Sequence, residues 1–261
     1  MLRFRSLASG SSGNATLIEA SDGTTSTRVL VDCGLGIRQM EQRLQLCGLE
    51  ARQLDAIFVT HEHSDHVGCA LALSRRFEVP LWMSAGTWRA IETPSARTAS
   101  NVLLNLIRDG ESVAIGDLQL RPFTVPHDAH EPLQLHCTDG AVSLGLLTDL
   151  GHVPPYVLEN LRACHALLLE CNHDPDMLAR SSYPPFLKRR VGGTHGHLNN
   201  AQAAQALQAL VHEGLHTVLA GHLSERNNRP ELAQAALSEV LGCAPEEVAY
   251  CTPSGSPWYQ V

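Results

Sequence analysis

The chain has 261 residues, 44% of them hydrophobic and 18% charged, with a formal net charge of −8. That balance excludes the disordered, collagen-like and disulfide-stapled classes and is ordinary for a globular domain. It also gives no overall pull toward nucleic acid, although bound divalent cations and a local basic patch can offset it. The first ten residues lack an apolar core long enough for a signal peptide, and no stretch approaches the length of a membrane span. The eight cysteines are scattered without a CxxC pair, so most read as buried thiols in a reducing, cytoplasmic setting.

In chain order, residues 2–8 read as a strand that runs into Ser9-Gly-Ser-Ser-Gly-Asn14. This glycine- and hydroxyl-rich loop reads equally as an anion-binding nest or a tight hairpin. Residues 15–19 and 28–31 read as two further strands, the second ending at Asp32. An amphipathic helix follows over 35–46, closed by Gly48. Residues 54–60 form a short apolar, β-branched run, a buried strand. It delivers the stretch that dominates the chain, His61-Glu-His63-Ser-Asp65-His66. Four residues able to bind a transition metal fall within six positions. Imidazole together with carboxylate suits Zn²⁺, Mn²⁺ or Fe rather than an all-oxygen Ca²⁺ site. His61 and His63, two apart in an extended loop, point the same way and can share one ion.

A helix is expected over 67–76, a strand over 80–83, a helix over 87–92 and an irregular segment near 93–108. Hairpin strands at 112–115 and 116–125 lead to His127. Residues 141–148 form a strand ending at Asp149, 156–164 a helix, and 166–170 a strand ending in Cys171-Asn-His173-Asp. The prolyl and basic segment 181–193 reads as irregular. A helix from Asn199/Asn200 to about His212, a strand over 216–220 ending at His222, a helix from Pro230 to Gly242 and a strand over 248–251 complete the chain. No repeat and no low-complexity linker interrupts it, so residues 1–261 read as one domain.

Strands therefore end repeatedly in His or Asp, and in layered α/β folds such ends converge on one edge. With Asp32, His127, Asp149 and His222 following in order, His61-x-His63-x-Asp65-His66 resembles the metallo-β-lactamase superfamily, and the resemblance covers essentially the whole chain. More narrowly, Ser9–Asn14, Leu30-Val-Asp-Cys-Gly34, Asp149-Leu-Gly151, Glu170-Cys-Asn-His-Asp174, Tyr183-Pro-Pro-Phe-Leu-Lys-Arg-Arg190, Gly196-His-Leu-Asn199 and Gly221-His-Leu-Ser-Glu-Arg-Asn-Asn228 resemble the YycJ/WalJ branch. That branch is related to the tRNase Z-type phosphodiesterases. One departure is Asn199, where the branch has Ser after His-Leu; Asn still caps a helix.

The resemblance implies an αββα sandwich, an α/β fold of two mixed sheets flanked by helices. It implies His61, His63 and His127 on one divalent ion, Asp65, His66 and His222 on a second, Asp149 bridging them, and Asp32 behind the ligands as an orienting group. A site of that kind, with two Zn²⁺ or Mn²⁺ ions, suits hydrolysis of a phosphodiester, which implies a nuclease acting on DNA ends, with Asp65 in the catalytic centre. His197 is the candidate general acid or phosphate clamp, with His173 and His195 behind it. Lys188, Arg189 and Arg190 could hold a phosphate backbone, and Ser11, Ser12 and Asn14 could line the entrance. The other readings are a thioester, lactone or lactam hydrolase on the same fold, and a metal-binding regulatory module without turnover. The acidic charge and the lack of an aromatic stacking platform weigh against a nuclease.

Overall fold

The computed structural model describes residues 1–92 and 102–261. The strands are β1 (Leu2–Ala8), β2 (Ala15–Ser21), β3 (Ser26–Val31), β4 (Ala56–Phe58), β5 (Leu81–Met83), β6 (Leu104–Leu106), β7 (Val113–Ile115), β8 (Leu118–Thr124), β9 (Leu133–Thr138), β10 (Ser143–Leu147), β11 (Ala166–Glu170), β12 (Thr217–Gly221), β13 (Ala249–Tyr250) and β14 (Tyr259–Gln260). They form two seven-stranded sheets, ordered β14-β1-β2-β3-β4-β5-β6 and β13-β12-β11-β10-β9-β8-β7. Each sheet is mixed. In the first, β1, β2 and β3 pair antiparallel and β3 to β6 run parallel. In the second, β7 to β10 pair antiparallel and β10 to β13 run parallel.

The helices are α1 (Ile37–Gln45), α2 (Ser64–Val67), α3 (Ala70–Phe77), α4 (Ala85–Ile91), α5 (Pro155–Leu161), α6 (Pro175–Arg180), α7 (Pro185–Val191), α8 (Asn200–Leu210) and α9 (Pro230–Leu241). Phe4, Ile18 and Phe58 of the first sheet meet Leu120, Leu135, Leu146 and Leu168 of the second in one buried cluster. Met40 and Leu44 of α1 and Leu73 of α3 cover the outer face of the first sheet. Val157 of α5, Leu207 of α8 and Leu237 of α9 cover that of the second. The result is the four-layer αββα order. Each such fully buried side chain contributes roughly 1.5–3 kcal/mol from water exclusion, and β10 and β11, buried along their whole length, read as unbroken apolar runs for that reason.

Most elements fall where the sequence places them, with four informative differences. The helix expected over 67–76 is two helices, because Gly68 at φ 27° breaks the chain between α2 and α3. The segment 181–193 contains α7, and α6 precedes it. Both helices carry Pro at their first position, where a missing N–H costs nothing, so the prolines that suggested irregularity are start signals. Strand β9 is an addition, with the alternation of Leu133, Leu135 and Cys137 right after Pro132. The irregular segment expected near 93–108 falls partly outside the described residues, and its described end holds β6. The Ser9–Asn14 loop is the hairpin between β1 and β2. All eight cysteines are free, and among the described residues no helix is long and apolar enough to cross a membrane.

Candidate metal centre

Strands of both sheets end on the same edge, and the chain turns sharply there. Asp32 and His222 follow β3 and β12 directly and Asp149 follows β10 after one residue, and all three hold left-handed backbone angles, φ 63°, 52° and 58° respectively. Such angles cost a non-glycine residue energy and persist where the surroundings fix them. Each turn aims a short polar side chain back over the strand ends.

The metal loop itself is packed from below. Gly34 lies so close to the Asp65 carbonyl that a Cβ there would stand 1.7 Å from the oxygen. Asn14 N donates to that same carbonyl at 2.8 Å, and Cys33 N donates to His66 O at 2.7 Å. The loop is therefore held by backbone bonds from two neighbouring strand ends as well as by those of its own turn, in which His66 N and Val67 N donate to His63 O.

Four imidazoles have one ring nitrogen assigned by a partner, which leaves the other with its lone pair free. The His66 Nδ1–H donates to Asp32 Oδ2 at 2.8 Å, and that of His222 to Glu170 Oε1 at 3.0 Å. His127 Nδ1–H donates to the Gly196 carbonyl at 3.0 Å. His61 Nδ1 faces Thr60 Oγ1 at 3.0 Å, and that hydroxyl is within 3.0 Å of both Asp32 oxygens. The free nitrogens then meet. His61 Nε2 lies 3.1 Å and His127 Nε2 3.3 Å from His63 Nδ1. His66 Nε2 lies 3.6 Å and His222 Nε2 3.7 Å from Asp65 Oδ2. Asp149 Oδ2 is 3.3 Å from His66 Nε2, and Asp149 Oδ1 is 4.0 Å from His127 Nε2.

Lone pairs converging on lone pairs repel unless protons or a cation lie among them. Asp149 Oδ2 and His222 Nε2 are buried and make no hydrogen bond, which a folded protein tolerates rarely without a reason. His61, His63 and His127 form one group able to hold an ion, and Asp65, His66 and His222 another. His61, His66 and Asp149 form a third that overlaps both. The donor set, imidazole with carboxylate, fits divalent transition metals.

The electrostatics agree. Burial disfavours charge on His66, yet Asp149 and Asp32 outweigh it and hold the ring well above its ordinary pKa. His222 is likewise raised, to about 10, by Asp149, Asp65 and Glu170 against burial. Burial and the neighbouring His66 push His61 well below its ordinary value, and burial lowers His127 too. Asp149 stays ionised despite complete burial because His222 and His66 face it. A cluster whose members are driven apart in this way is a functional-site signature.

Above these side chains lies a cavity of about 280 Å³, lined among others by His63, Asp65, Asp149, His197, His222 and Arg190. His197 Nδ1 donates to Glu170 Oε1 at 2.8 Å, leaving Nε2 as the ring's remaining polar atom. The seven expected ligands thus come together, with Asp32 directly behind His66. Ser11 lines the cavity and Ser12 the cleft beside it, where its hydroxyl donates to Glu225. Asn14 does not reach the entrance: it is buried behind the loop, its Nδ2 3.1 Å from His66 Nε2. Of the basic run only Arg190 lines the cavity, and its guanidinium pairs with Asp128. Lys188 Nζ donates to Ala179 O, away from the cavity. His195 stacks edge-on against His152, and His173 is buried outside the cavity lining.

Glu170 has no assigned role in the sequence reading, yet it is fully buried and accepts from His197, His222 and Leu198 N. Burial opposes its charge, but His197 and His222 lower it to about 2. Its sequence signals are a carboxylate closing a four-residue apolar run and a place at the head of the Glu170–Asp174 block, neither of which names its partners. Asp128 is a second addition, with Oδ1 3.8 Å from His63 Nε2.

The fold and the site together define a hydrolase-type metal centre on an αββα sandwich, and the chain belongs to the β-lactamase superfamily, whose domain matches residues 27–220. Within it, the chain is 33% identical over 240 residues to the exodeoxyribonuclease YycJ of Bacillus anthracis, spanning 92% of this chain and 89% of that protein. It is 32% identical over 243 residues to the exodeoxyribonuclease WalJ of Streptococcus pneumoniae, spanning 93% and 89%. These matches bear out the YycJ/WalJ resemblance. Among solved structures, the metallo-β-lactamase fold protein YhfI from Bacillus subtilis aligns over 100% of both chains with a TM-score of 0.74 at 15% identity, a likeness of fold alone.

Proposed function

We propose that the protein is a metal-dependent phosphodiesterase that acts as a DNA exonuclease, with two divalent ions, Zn²⁺ or Mn²⁺, in the centre. His61, His63 and His127 would hold one ion, Asp65, His66 and His222 the other, and Asp149 would face both. Bound there, the ions would lower the pKa of water and neutralise charge on the phosphate oxygens. The chain's own residues do the rest. Asp32, Thr60, Glu170 and the Gly196 carbonyl fix the imidazole tautomers, so no reorientation is needed when substrate arrives. His197, steadied by Glu170, offers its Nε2 side to the leaving oxygen as a proton donor or to the phosphate as a charge partner.

The observation that carries this reading is the gathering of seven ligand-type side chains under one polar cavity, in a chain alignable over nearly its full length with an exodeoxyribonuclease. Ser11, Ser64, Asn172 and Asn227 in the lining also suit a phosphate-bearing substrate better than an apolar acyl group. The test is turnover of end-labelled single- and double-stranded DNA, RNA and bis-p-nitrophenyl phosphate, with Zn²⁺ and Mn²⁺ supplied separately and Asp65→Ala as control. Metal-dependent shortening of DNA that vanishes in the variant supports the reading. Two bound ions with no phosphodiester cut would overturn it and turn attention to thioesters and lactones.

A further inference from the structure

The cavity over the metal centre does not end at its rim. A second cleft of about 160 Å³ adjoins it, lined by Ser11, Ser12, Tyr183, Ser224, Glu225 and Arg226. Ser11, Tyr183 and Ser224 line both spaces, so they form the partition between them. Tyr183 is the one Phe, Tyr or Trp side chain in either lining. The two spaces, of about 280 Å³ and 160 Å³, therefore meet across one aromatic ring.

The partition is rigidly tied to the centre. Tyr183 lies two residues before α7, and the far end of that helix is clamped to the loop carrying His197. His197 N donates to Val191 O at 2.8 Å, and Gly196 packs so closely that a Cβ would stand 2.1 Å from the Arg190 carbonyl. Phe186 is 65% exposed on the same helix. It lies four residues before Arg190 and so on the same face. Two cations accompany these rings: Arg190 in the lining of the cavity, where it pairs with Asp128, and Arg226 in that of the cleft, beside Glu225. This is the composition of a surface for unpaired strands, where rings take base faces and cations take phosphates.

We propose that Tyr183 is a base-stacking partition that divides the site into two nucleotide subsites, so that the enzyme takes the unpaired end of a DNA strand. The cavity over the metal centre receives the terminal nucleotide, and the cleft beside Arg226 receives the next. This inference rests on the nuclease reading and names its substrate class.

The test compares the full-length protein with Tyr183→Ala and Tyr183→Phe, each metal-analysed, on single-stranded oligodeoxynucleotides. Tyr183→Ala raises KM roughly 5- to 100-fold, the range for loss of one stacked base, whereas Tyr183→Phe stays within about twofold because it keeps the ring. In the Asp65→Ala background, a single strand carrying 2-aminopurine at its second nucleotide shows stacking-quenched fluorescence on binding, and Tyr183→Ala abolishes the quench. Unchanged KM and an intact quench in Tyr183→Ala overturn the partition while leaving the nuclease reading standing. Equal damage from Tyr183→Phe also overturns it, since the hydroxyl and not the ring would then matter. If the unsubstituted protein neither binds nor cuts DNA, both readings fall together.

Discussion

His66 and Asp32 form a buried pair in which the imidazole Nδ1–H donates to the carboxylate at 2.8 Å, and the same carboxylate accepts from Thr60 N at 2.8 Å. Asp32 thus ties a ring on the metal loop to the strand end beneath it. Removing it leaves three buried donors, His66 Nδ1–H, Thr60 N–H and the Thr60 hydroxyl, without this partner, at about 1–3 kcal/mol each. Asp32→Ala is expected to lower the melting temperature and weaken metal binding roughly 10- to 100-fold. Asp32→Asn, which can still accept from Thr60 N, is expected to lose metal affinity with less loss of stability. Metal titrations alongside thermal melts check this, and wild-type affinity in Asp32→Ala would remove the orienting role.

Glu170 holds His197 and His222 together, so the two partners answer different questions. His197→Gln is expected to reduce turnover on DNA by roughly 10²- to 10⁴-fold, the range for a lost general acid, with metal content unchanged. Glu170→Gln breaks a fully buried charge network and is expected to destabilise the fold by about 3 kcal/mol or more, with weaker metal binding through His222. Metal analysis of both variants separates the two effects. Loss of metal from His197→Gln would recast that residue as a ligand.

The contrast between these residues shows what the sequence could reveal. A ligand cluster at the end of an apolar strand announces itself, because a continuous buried apolar run and metal-type side chains coincide within a few positions, as at His61–His66 and Asp149. The four-layer order was legible only through the family resemblance that these ligand blocks carry. Glu170 was not, since a carboxylate after four apolar residues carries no sign of which imidazoles face it across the sheet. Asn14 and Lys188 were misleading for a related reason: composition places a polar side chain on a loop or a helix but not the direction in which it points.

Gly34 and Gly36 provide a steric test of how the loop is seated. A Cβ at Gly34 meets the Asp65 carbonyl, whereas one at Gly36 meets nothing within 4 Å. Gly34→Ala is expected to destabilise the protein by roughly 1–3 kcal/mol and to impair metal binding by displacing Asp65. Gly36→Ala is expected to stay within about 0.5 kcal/mol. Denaturant melts of the two variants, with metal and with chelator, read the difference. Equal stability would mean that the loop yields without cost.

The metal-free protein should respond to pH in a direction fixed by its ion pairs. His222, raised from 6.5 to about 10 by Asp149, Asp65 and Glu170 against burial, stabilises the fold through its charged form. That contribution is complete below pH 6.5 and is lost as pH rises toward 10. His66 is shifted in the same direction and adds to it. His61 and His127 are shifted downward, so stability also falls as pH drops below 6.5. Chelated protein is therefore expected to melt highest near pH 6.5 and several degrees lower at pH 9.5. Metal reverses the upper limb, because binding must displace the protons on His66 and His222 and so strengthens as pH rises. Calorimetric titration with metal at pH 7 in buffers of different ionisation enthalpy measures the protons released. A melting temperature of the chelated protein that is flat from pH 6.5 to 9.5, together with no proton release, would mean that these imidazoles do not carry the charge assigned to them.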